Sequence, residues 1–147
     1  MFKHILVPTD GSKLSLKAID VAAGLANSCG AKVSVLYVAP TFPTMIGGDG
    51  YMVTPMSAKE WDASISKAMT RVRDLVEKRS KSKSMAVQFL TAAIDQPHVA
   101  IIDTAKQKKC DLIVMASHGR SGLAALLLGS ETTKVLTHCK LPVLVCR

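Results

Sequence analysis

The chain has 147 residues, of which 48% are hydrophobic and 20% are charged, a size and composition that predict one globular domain with a single buried core. Only 4% of the residues are aromatic, so the core is expected to be aliphatic and base-stacking surfaces are scarce. The formal net charge of +8 favours an anionic partner, but the few aromatic residues and the absence of a recognised module disfavour nucleic acid.

The first third of the chain predicts a strand, a helix and a second strand. Residues 3–8 form a short apolar run, and Ser12 is placed to cap the helix that follows. Alanine and isoleucine then recur at helical spacing until Cys29 and Gly30, which end the helix. Residues 33–38 predict the second strand. The composition of residues 40–57 changes to Pro, Gly, Thr and Met without a period, so we expect a long flexible loop there, either a lid or a connector.

The rest of the chain continues the alternation. A stripe of apolar residues from Trp61 to Val76 predicts an amphipathic helix. The remaining predicted elements are an edge strand at 85–90, a helix after Pro97, a strand at 112–116, a helix at 131–138 and a last strand at 143–145. Strands that are apolar along their length and alternate with helices predict a doubly wound, five-stranded parallel α/β sheet with helices on both faces.

In such a sheet the ligand crevice lies beyond the carboxyl ends of the strands, where the winding reverses. Residues 8–12, Val38 and the segment 116–130 should meet there. Neither a P-loop nor a dinucleotide-binding glycine fingerprint is present. The glycines at 119 and 129 fit either a phosphate-binding turn at a helix N-terminus or a plain turn, and spacing alone leaves both readings open.

No secretory signal or apolar stretch of about 18 residues is apparent, so we expect a cytoplasmic protein that does not bind membranes. The four cysteines lack paired spacing, which favours reduced thiols. His138 and Cys139 have no further ligands at zinc spacing, so no metal site is predicted from the residues.

Three segments resemble the universal stress proteins: 5–12, 111–122, and 126–130 continuing to 142–145. The resemblance covers essentially the whole chain and implies a Rossmann-like domain of the adenine nucleotide alpha hydrolase type. It further implies the ATP-binding branch, whose signature is Gly, two residues, Gly, nine residues, Gly and Ser or Thr. Gly119, Gly129 and Ser130 match this signature, whereas Ala116 occupies the first glycine position. We expect Ala116 to have ordinary strand geometry, because an apolar strand leads into it.

The resemblance also implies the roles of individual residues. Adenine and ribose would be contacted by Pro8, Thr9, Asp10 and the backbone of Val38. The phosphates would be bound mostly by main-chain donors of Ser117, Gly119, Gly129, Ser130 and Glu131. Asp10 has a second interpretation as a helix-capping carboxylate. Arg120 is a phosphate partner or a surface charge, and Mg²⁺ bridging the phosphates is compatible with the sequence.

His118 completes the predicted nucleotide site. Its position beside Ser117 suggests a nucleophile and base, but adjacent side chains on an extended segment should point apart, and no orienting carboxylate is evident. The leading hypothesis, which the resemblance implies, is a regulatory stress-response protein that binds ATP at the switch point, with AMP and ADP as alternatives. Under stress it would change its interactions with an unknown regulatory protein partner. A homodimer through the edge residues Val143, Leu144 and Val145 is also predicted. The alternatives are a nucleotide-independent interaction module of the same fold and a slow ATP hydrolase.

Overall fold

The computed structural model describes residues 1–43, 45–46, 52–53, 56–119 and 128–147, with the backbone alone at 45–46 and 52–53. The strands are β1 (His4–Thr9), β2 (Lys32–Ala39), β3 (Met45–Ile46), β4 (Met52–Val53), β5 (Val87–Ala93), β6 (Leu112–Ala116) and β7 (Val143–Cys146). The helices are α1 (Lys13–Cys29), α2 (Ala58–Ser82), α3 (Pro97–Gln107) and α4 (Ser130–His138).

Five strands form one parallel sheet in the order β5-β2-β1-β6-β7. The chain winds outward from β1 in one direction through β2 and β5, and then in the other direction through β6 and β7. The reversal therefore falls between β1 and β6, where Ile5 pairs with Leu112. The predicted doubly wound sheet is confirmed, as are the edge positions of the 85–90 and 143–145 strands.

Alternate residues of each strand point to opposite faces of the sheet. Because these residues are apolar on both faces, helices cover both faces. Ile5 and Val7 pack with α1 and α2 in one buried cluster, which includes Ile19 and Val72. Leu6 packs on the other face with α3 and α4. Helices on both faces of an apolar parallel sheet give the α/β, Rossmann-like class that the sequence predicted.

Local capping explains where α1 and α2 begin. The Ser12 hydroxyl accepts a hydrogen bond from the Ser15 N–H, and Gly30 ends α1 with φ of 68°. At the start of α2, Ser57 and Glu60 form a reciprocal capping box. The predicted helix boundaries at Ser12 and Gly30 are thus confirmed.

Two predictions of local structure were wrong. The predicted loop 40–57 contains an antiparallel pair, since β3 and β4 bond to one another. Each of these strands has two residues, too few for an alternating pattern to show in the sequence. The predicted 85–90 strand begins two residues later, because a turn at Ser84, with φ of 49°, separates Met85 from the end of α2. Residues 44, 47–51 and 54–55 of the loop lie outside the described residues.

Candidate functional site

A cavity of about 390 Å³ opens at the carboxyl ends of β1, β2 and β6. It lies at the reversal of the winding, between the N-terminal turn of α4 and the N-terminal half of α3. Its lining residues are Pro8, Thr9, Asp10, Ser15, Leu36, Val38, Pro97, Ile101, Met115, Ala116, His118, Gly119, Gly129, Ser130, Glu131 and Thr132. The crevice expected from strand order is therefore present, as a concave site large enough for a small molecule.

Ten of the twelve predicted site residues line this cavity: Pro8, Thr9, Asp10, Val38, Ala116, His118, Gly119, Gly129, Ser130 and Glu131. Ser117 is buried beside it, with 4% of its surface exposed. Arg120 lies outside the described residues. Segments more than a hundred residues apart in the sequence are thus brought to one place by the parallel sheet.

The turn after β1 is held by its own side chains. The Asp10 carboxylate accepts a hydrogen bond from the Ser12 N–H at 2.9 Å, and Thr9 Oγ1 accepts one from the Gly11 N–H at 3.2 Å. The Thr9 and Ser15 hydroxyls also bond to each other at 2.9 Å. Ser12, and not Asp10, supplies the side-chain cap of α1. The Asp10 carboxylate therefore shapes the turn that forms one wall of the cavity.

Gly119 lies against the Asp10 carboxylate. A β-carbon at residue 119 would come within 2.7 Å of Asp10 Oδ2. Side-chain atoms do not approach so closely, so any larger residue at 119 would displace the carboxylate. The second glycine of the signature thus permits contact between the turn after β1 and the segment after β6.

Gly129 is required for a close approach of two backbones. Its N–H donates to the Ser117 carbonyl oxygen at 2.7 Å, and a β-carbon there would lie 3.2 Å from His118 Cα. The φ of −63° and ψ of 153° suit any residue, so conformational freedom is not the reason for glycine. Gly129 lets the start of α4 sit directly on the end of β6.

These bonds correct part of the role that the resemblance implied. The Ser117 N–H donates to the Cys146 carbonyl at 2.8 Å, and the Gly129 N–H is bonded to Ser117. Both donors already have protein acceptors, so neither N–H is available to a phosphate. The remaining implied donors at α4 are those of Ser130 and Glu131.

Ala116 has the strand geometry that was expected of it. It is the last residue of β6, pairs with Cys146, and is not among the described residues with positive φ. The Thr132 hydroxyl donates to the Ala116 carbonyl at 3.0 Å in a buried position. The methyl group replacing the first signature glycine is therefore accommodated without backbone strain, and Ala116 lines the cavity.

The N-terminus of α4 faces the cavity without a side-chain cap. Gly129 is the N-cap residue and has no side chain with which to accept a bond. The N–H groups of the first helical turn lack intrahelical acceptors, and the helix dipole adds partial positive charge there. Ser130, Glu131 and Thr132 line the cavity at this turn. An anion at this end of the cavity would meet backbone donors and a favourable potential.

The Glu131 side chain points to α3. Its Oε2 accepts hydrogen bonds from the His98 N–H at 2.9 Å and from His98 Nδ1 at 3.0 Å, and its Oε1 accepts one from Lys134 Nζ at 2.8 Å. Partial burial raises the pKa of the Glu131 carboxyl, but the bonds from Lys134 and His98 outweigh it, so the pKa lies below its ordinary value. His98 and Glu131 are 33 residues apart, and no pattern in the sequence indicated their contact.

Ser117 and His118 do not point apart. Ser117 Oγ and His118 Nδ1 are 3.1 Å apart and hydrogen-bonded, so the expectation based on an extended segment was wrong. Ser117 follows the last residue of β6, at a bend where strand alternation no longer applies. Because Ser117 is buried and does not line the cavity, its hydroxyl braces His118 and is not presented to a ligand.

Six lining residues were missed by sequence reasoning: Ser15, Leu36, Pro97, Ile101, Met115 and Thr132. Leu36 could have been predicted from the sequence, because it lies two residues before Val38 and so points to the same face of β2. Pro97 and Ile101 could not have been predicted, because they belong to α3 and the position of a helix on a sheet is decided by packing. Four of them, Leu36, Pro97, Ile101 and Met115, are apolar and give the cavity an apolar wall.

Within the described ranges, no group of three or more His, Cys, Asp or Glu side chains is arranged to hold a metal ion. No helix in the described part of the chain is long and apolar enough to cross a membrane. The four cysteines are free thiols, and burial raises the pKa of Cys110 to about 11. The chemical groups that the candidate site offers are backbone donors, an apolar wall and two carboxylates, those of Asp10 and Glu131.

The sequence is similar to known proteins of one family along its whole length. The universal stress protein family model matches residues 1–147. A universal stress protein of Bacillus subtilis is 32% identical over 149 residues, with full coverage of both chains. Another, from Methanocaldococcus jannaschii, is 31% identical over 152 residues, covering 100% of this chain and 83% of its own.

The fold is shared as well. A universal stress protein from Lactobacillus plantarum superimposes with a TM-score of 0.82 at 25% identity, covering 99% of this chain and 97% of its own. Two universal stress proteins with lower identity, 23% and 16%, were solved in complex with cAMP and dAMP, at TM-scores of 0.73 and 0.64. They cover 99% of this chain and 97% and 98% of their own. With the family model matched from the first residue to the last and relatives above 30% identity over the full chain, this protein belongs to the universal stress protein family.

Proposed function

We propose that this protein binds adenine nucleotide, with ATP as the ligand, in the cavity between β1 and β6, and that it acts as a regulatory stress-response protein. The observation that carries the proposal is the uncapped N-terminus of α4, which opens into a cavity that also has an apolar wall. A nucleotide has a group that suits each of these features: an anionic phosphate chain for the helix N-terminus, and a flat base for the apolar wall.

The phosphate chain would lie at the first turn of α4. The N–H groups of Ser130, Glu131 and Thr132 are the donors that the helix itself cannot satisfy. Gly119 has no side chain to displace the Asp10 carboxylate, and Ser130 is exposed. Main-chain donors distinguish little between phosphates, so ADP and AMP would bind by the same contacts. Mg²⁺ would be held chiefly by the phosphate oxygens themselves.

The base and ribose would lie against the apolar wall. Leu36, Val38 and Met115 come from the strand ends, while Pro97 and Ile101 close the side formed by α3. Asp10 belongs to the turn after β1, and its carboxylate is the candidate acceptor for hydrogen bonds from the ribose hydroxyls. Its geometry is already fixed by the bond from the Ser12 N–H.

Binding, and not turnover, is the proposed activity. The sequence has no P-loop lysine, and the Ser117 hydroxyl is buried away from the cavity. The two alternatives predict different results. A slow hydrolase would release phosphate from ATP faster than ATP hydrolyses without protein, and a nucleotide-independent module would bind no nucleotide. We further propose that residues 1–147 form a single domain. A cytoplasmic location is also proposed, and the four free thiols support it.

The protein is further proposed to act as a homodimer through β7, with an unidentified protein partner that responds to the bound nucleotide. β7 is an edge strand of the sheet, and the Leu144 side chain is 39% exposed on it. Exposed apolar edges favour pairing with another strand, and pairing across a two-fold axis satisfies both copies at once.

Substitution of Ser130 tests the phosphate end of the site. Ser130 is the first residue of α4, and Gly129 before it has the extended ψ that a following proline requires. Ser130→Pro removes one N–H donor from the turn without removing an intrahelical bond, whereas Ser130→Ala removes the hydroxyl and keeps the N–H. Calorimetric titration of both variants and the native protein with ATP, ADP, AMP, cAMP, dAMP and adenosine gives the comparison.

We expect Ser130→Pro to weaken ATP binding by about tenfold, with an unchanged melting temperature, and Ser130→Ala to bind within about twofold of the native protein. Adenosine should bind both variants equally, because it has no phosphate. Native protein that binds none of these ligands at millimolar concentration would refute the proposal and favour the interaction module. Release of phosphate above the background rate would favour the hydrolase.

A further inference from the structure

One carboxylate joins the two helices that flank the cavity. Glu131 is the second residue of α4, and its side chain bonds to His98, the second residue of α3. Pro97 and Ile101 of α3 line one side of the cavity, and Ser130 and Thr132 of α4 line another. The bond between His98 and Glu131 therefore joins two helices that both line the cavity.

The carboxylate supplies what α3 lacks. Gln96, the N-cap residue of α3, makes no side-chain capping bond. The His98 N–H, one of the donors that α3 cannot satisfy itself, donates instead to Glu131 Oε2 at 2.9 Å. A second hydrogen bond joins His98 Nδ1 to the same carboxylate oxygen, so His98 contacts Glu131 through both its backbone and its ring. A negative group at a helix N-terminus is also favoured by the helix dipole.

The contact adds to the bonds that hold a turn without a side-chain cap. The N-cap of α4 has no side-chain bond, and the first turn is tied to the strands through the Gly129 N–H and the Thr132 hydroxyl. The Glu131 bond to His98 holds the same turn against α3. Without it, α4 would keep its contacts with β6 but lose its side-chain hydrogen bond to α3.

We propose that Glu131 is a positioning residue for nucleotide binding: its carboxylate latches α4 to α3 through His98, and this latch aims the N–H groups of the first α4 turn into the cavity. The inference rests on the proposed function and adds a role to it, since the resemblance implied only a main-chain donor at this position. Glu131 acts through His98 and does not itself contact the phosphates with its carboxylate.

The charge of the Glu131 carboxylate is compensated by Lys134. His98 approaches the carboxylate from α3, and Lys134 from α4, with the Lys134 Nζ at 2.8 Å. His138, also on α4, has its ring centroid 6.0 Å from that of His98. An anionic ligand at the α4 N-terminus therefore meets a carboxylate whose lone pairs are already engaged by donors.

Two substitutions of Glu131 separate positioning from charge. Glu131→Ala removes the carboxylate and every side-chain acceptor, while Glu131→Gln removes the charge but keeps an amide oxygen that can accept the His98 N–H. The matched control is Asp103→Asn, which removes one negative charge from an exposed position of α3. ATP and adenosine affinities are measured for each by calorimetry.

A latch predicts different results for the two Glu131 variants. Glu131→Ala should weaken ATP binding by about tenfold and leave adenosine within about twofold, while Glu131→Gln and Asp103→Asn should bind ATP within about twofold of the native protein or more tightly. If Glu131→Ala binds ATP as well as the native protein, or better, the residue is only a nearby negative charge. If Glu131→Gln loses as much as Glu131→Ala, the carboxylate acts directly. Either result overturns the inference.

Hydrogen exchange without any ligand tests the latch independently of nucleotide binding. The Thr133 N–H makes the first intrahelical bond of α4, to the Gly129 carbonyl at 2.9 Å. Glu131→Ala should accelerate exchange at Thr133 and Lys134 by about tenfold, with unchanged exchange in β2, and Glu131→Gln should restore most of the protection. Unchanged exchange in Glu131→Ala would contradict the latch even if ATP binds. Absence of ATP binding by the native protein would refute only the proposed function.

Discussion

The N–H of Gly129 donates to the carbonyl oxygen of Ser117 at 2.7 Å, and this bond seats the start of α4 on the end of β6. It consumes the donor that the signature glycine would otherwise offer to a ligand. Its consequence is geometric: the three residues after Gly129 reach the cavity with their N–H groups unsatisfied by the helix. The third signature glycine therefore acts by placing the helix N-terminus.

Gly129→Ala should destabilise the protein and weaken nucleotide binding. The new β-carbon would lie 3.2 Å from His118 Cα and 3.3 Å from the Ser117 carbonyl oxygen, so the backbone has to shift. Overpacking of this kind costs about 1–3 kcal/mol. Urea denaturation gives the free energy of unfolding, and calorimetry gives the ATP affinity.

Gly24→Ala is the matched control for this substitution. Gly24 lies inside α1, is exposed, and a β-carbon there would have no atom within 4 Å. The same change should stabilise the protein by about 0.5–1 kcal/mol, because alanine suits a helix better than glycine. Equal effects at both sites would show that the contact with Ser117 and His118 is unimportant.

Thr132→Val should cost about 1–2 kcal/mol of unfolding free energy. The Thr132 side chain is 3% exposed, and its hydroxyl donates to the Ala116 carbonyl, a bond that the nearly isosteric valine cannot make. Thr133→Val serves as the comparison, since its hydroxyl bonds to the Gly129 carbonyl at an exposed position where water can replace it. Chemical denaturation of the two variants should show the larger loss for Thr132, and a larger loss for Thr133 would refute this view of the buried bond.

The contribution of Asp111 to stability should disappear in acid. Burial raises the pKa of this carboxyl, but the N–H groups of His4 and Lys3, which donate at 3.0 and 2.8 Å, lower it below the ordinary 3.8 overall. A folded-state pKa below the unfolded one means that the stabilisation is complete above the unfolded value and is lost as the pH falls through the folded value. The difference in unfolding free energy between the native protein and Asp111→Asn should be constant near neutral pH and shrink below about pH 4. A difference that grows in acid would contradict this assignment.

Leu144→Lys should convert the proposed dimer to a monomer. Leu144 is exposed in the middle of the edge strand β7, and a lysine at an edge disfavours pairing with a second strand. Met56→Lys introduces the same charge at another exposed apolar residue, 36% exposed, and should leave the oligomeric state unchanged. Sedimentation velocity at micromolar concentration distinguishes these results, and native protein that sediments as a monomer would refute the dimer.

Particular residues show how far sequence reasoning reached. The apolar run 112–116 and the cap at Ser12 predicted β6 and the start of α1 at the observed residues, because period and capping are local properties. Ten of twelve predicted site residues line one cavity, since strand order alone brings the carboxyl ends of β1, β2 and β6 together. The donor roles implied for Ser117 and Gly129 conflict with the bonds observed, because an N–H that looks free in the sequence can donate to a carbonyl of another segment.

The sequence by itself determined the alternation of strands and helices, the doubly wound order and the glycines that allow close approach, all of which follow from periodicity and residue size. Only the tertiary structure decided which N–H groups remain open, that Ser117 braces His118, and that Glu131 reaches His98 across 33 residues. The physical reason is that a hydrogen bond between distant segments depends on the angle and distance at which helices pack on the sheet. That packing is set by the sum of many apolar contacts and leaves no mark at the bonded residues.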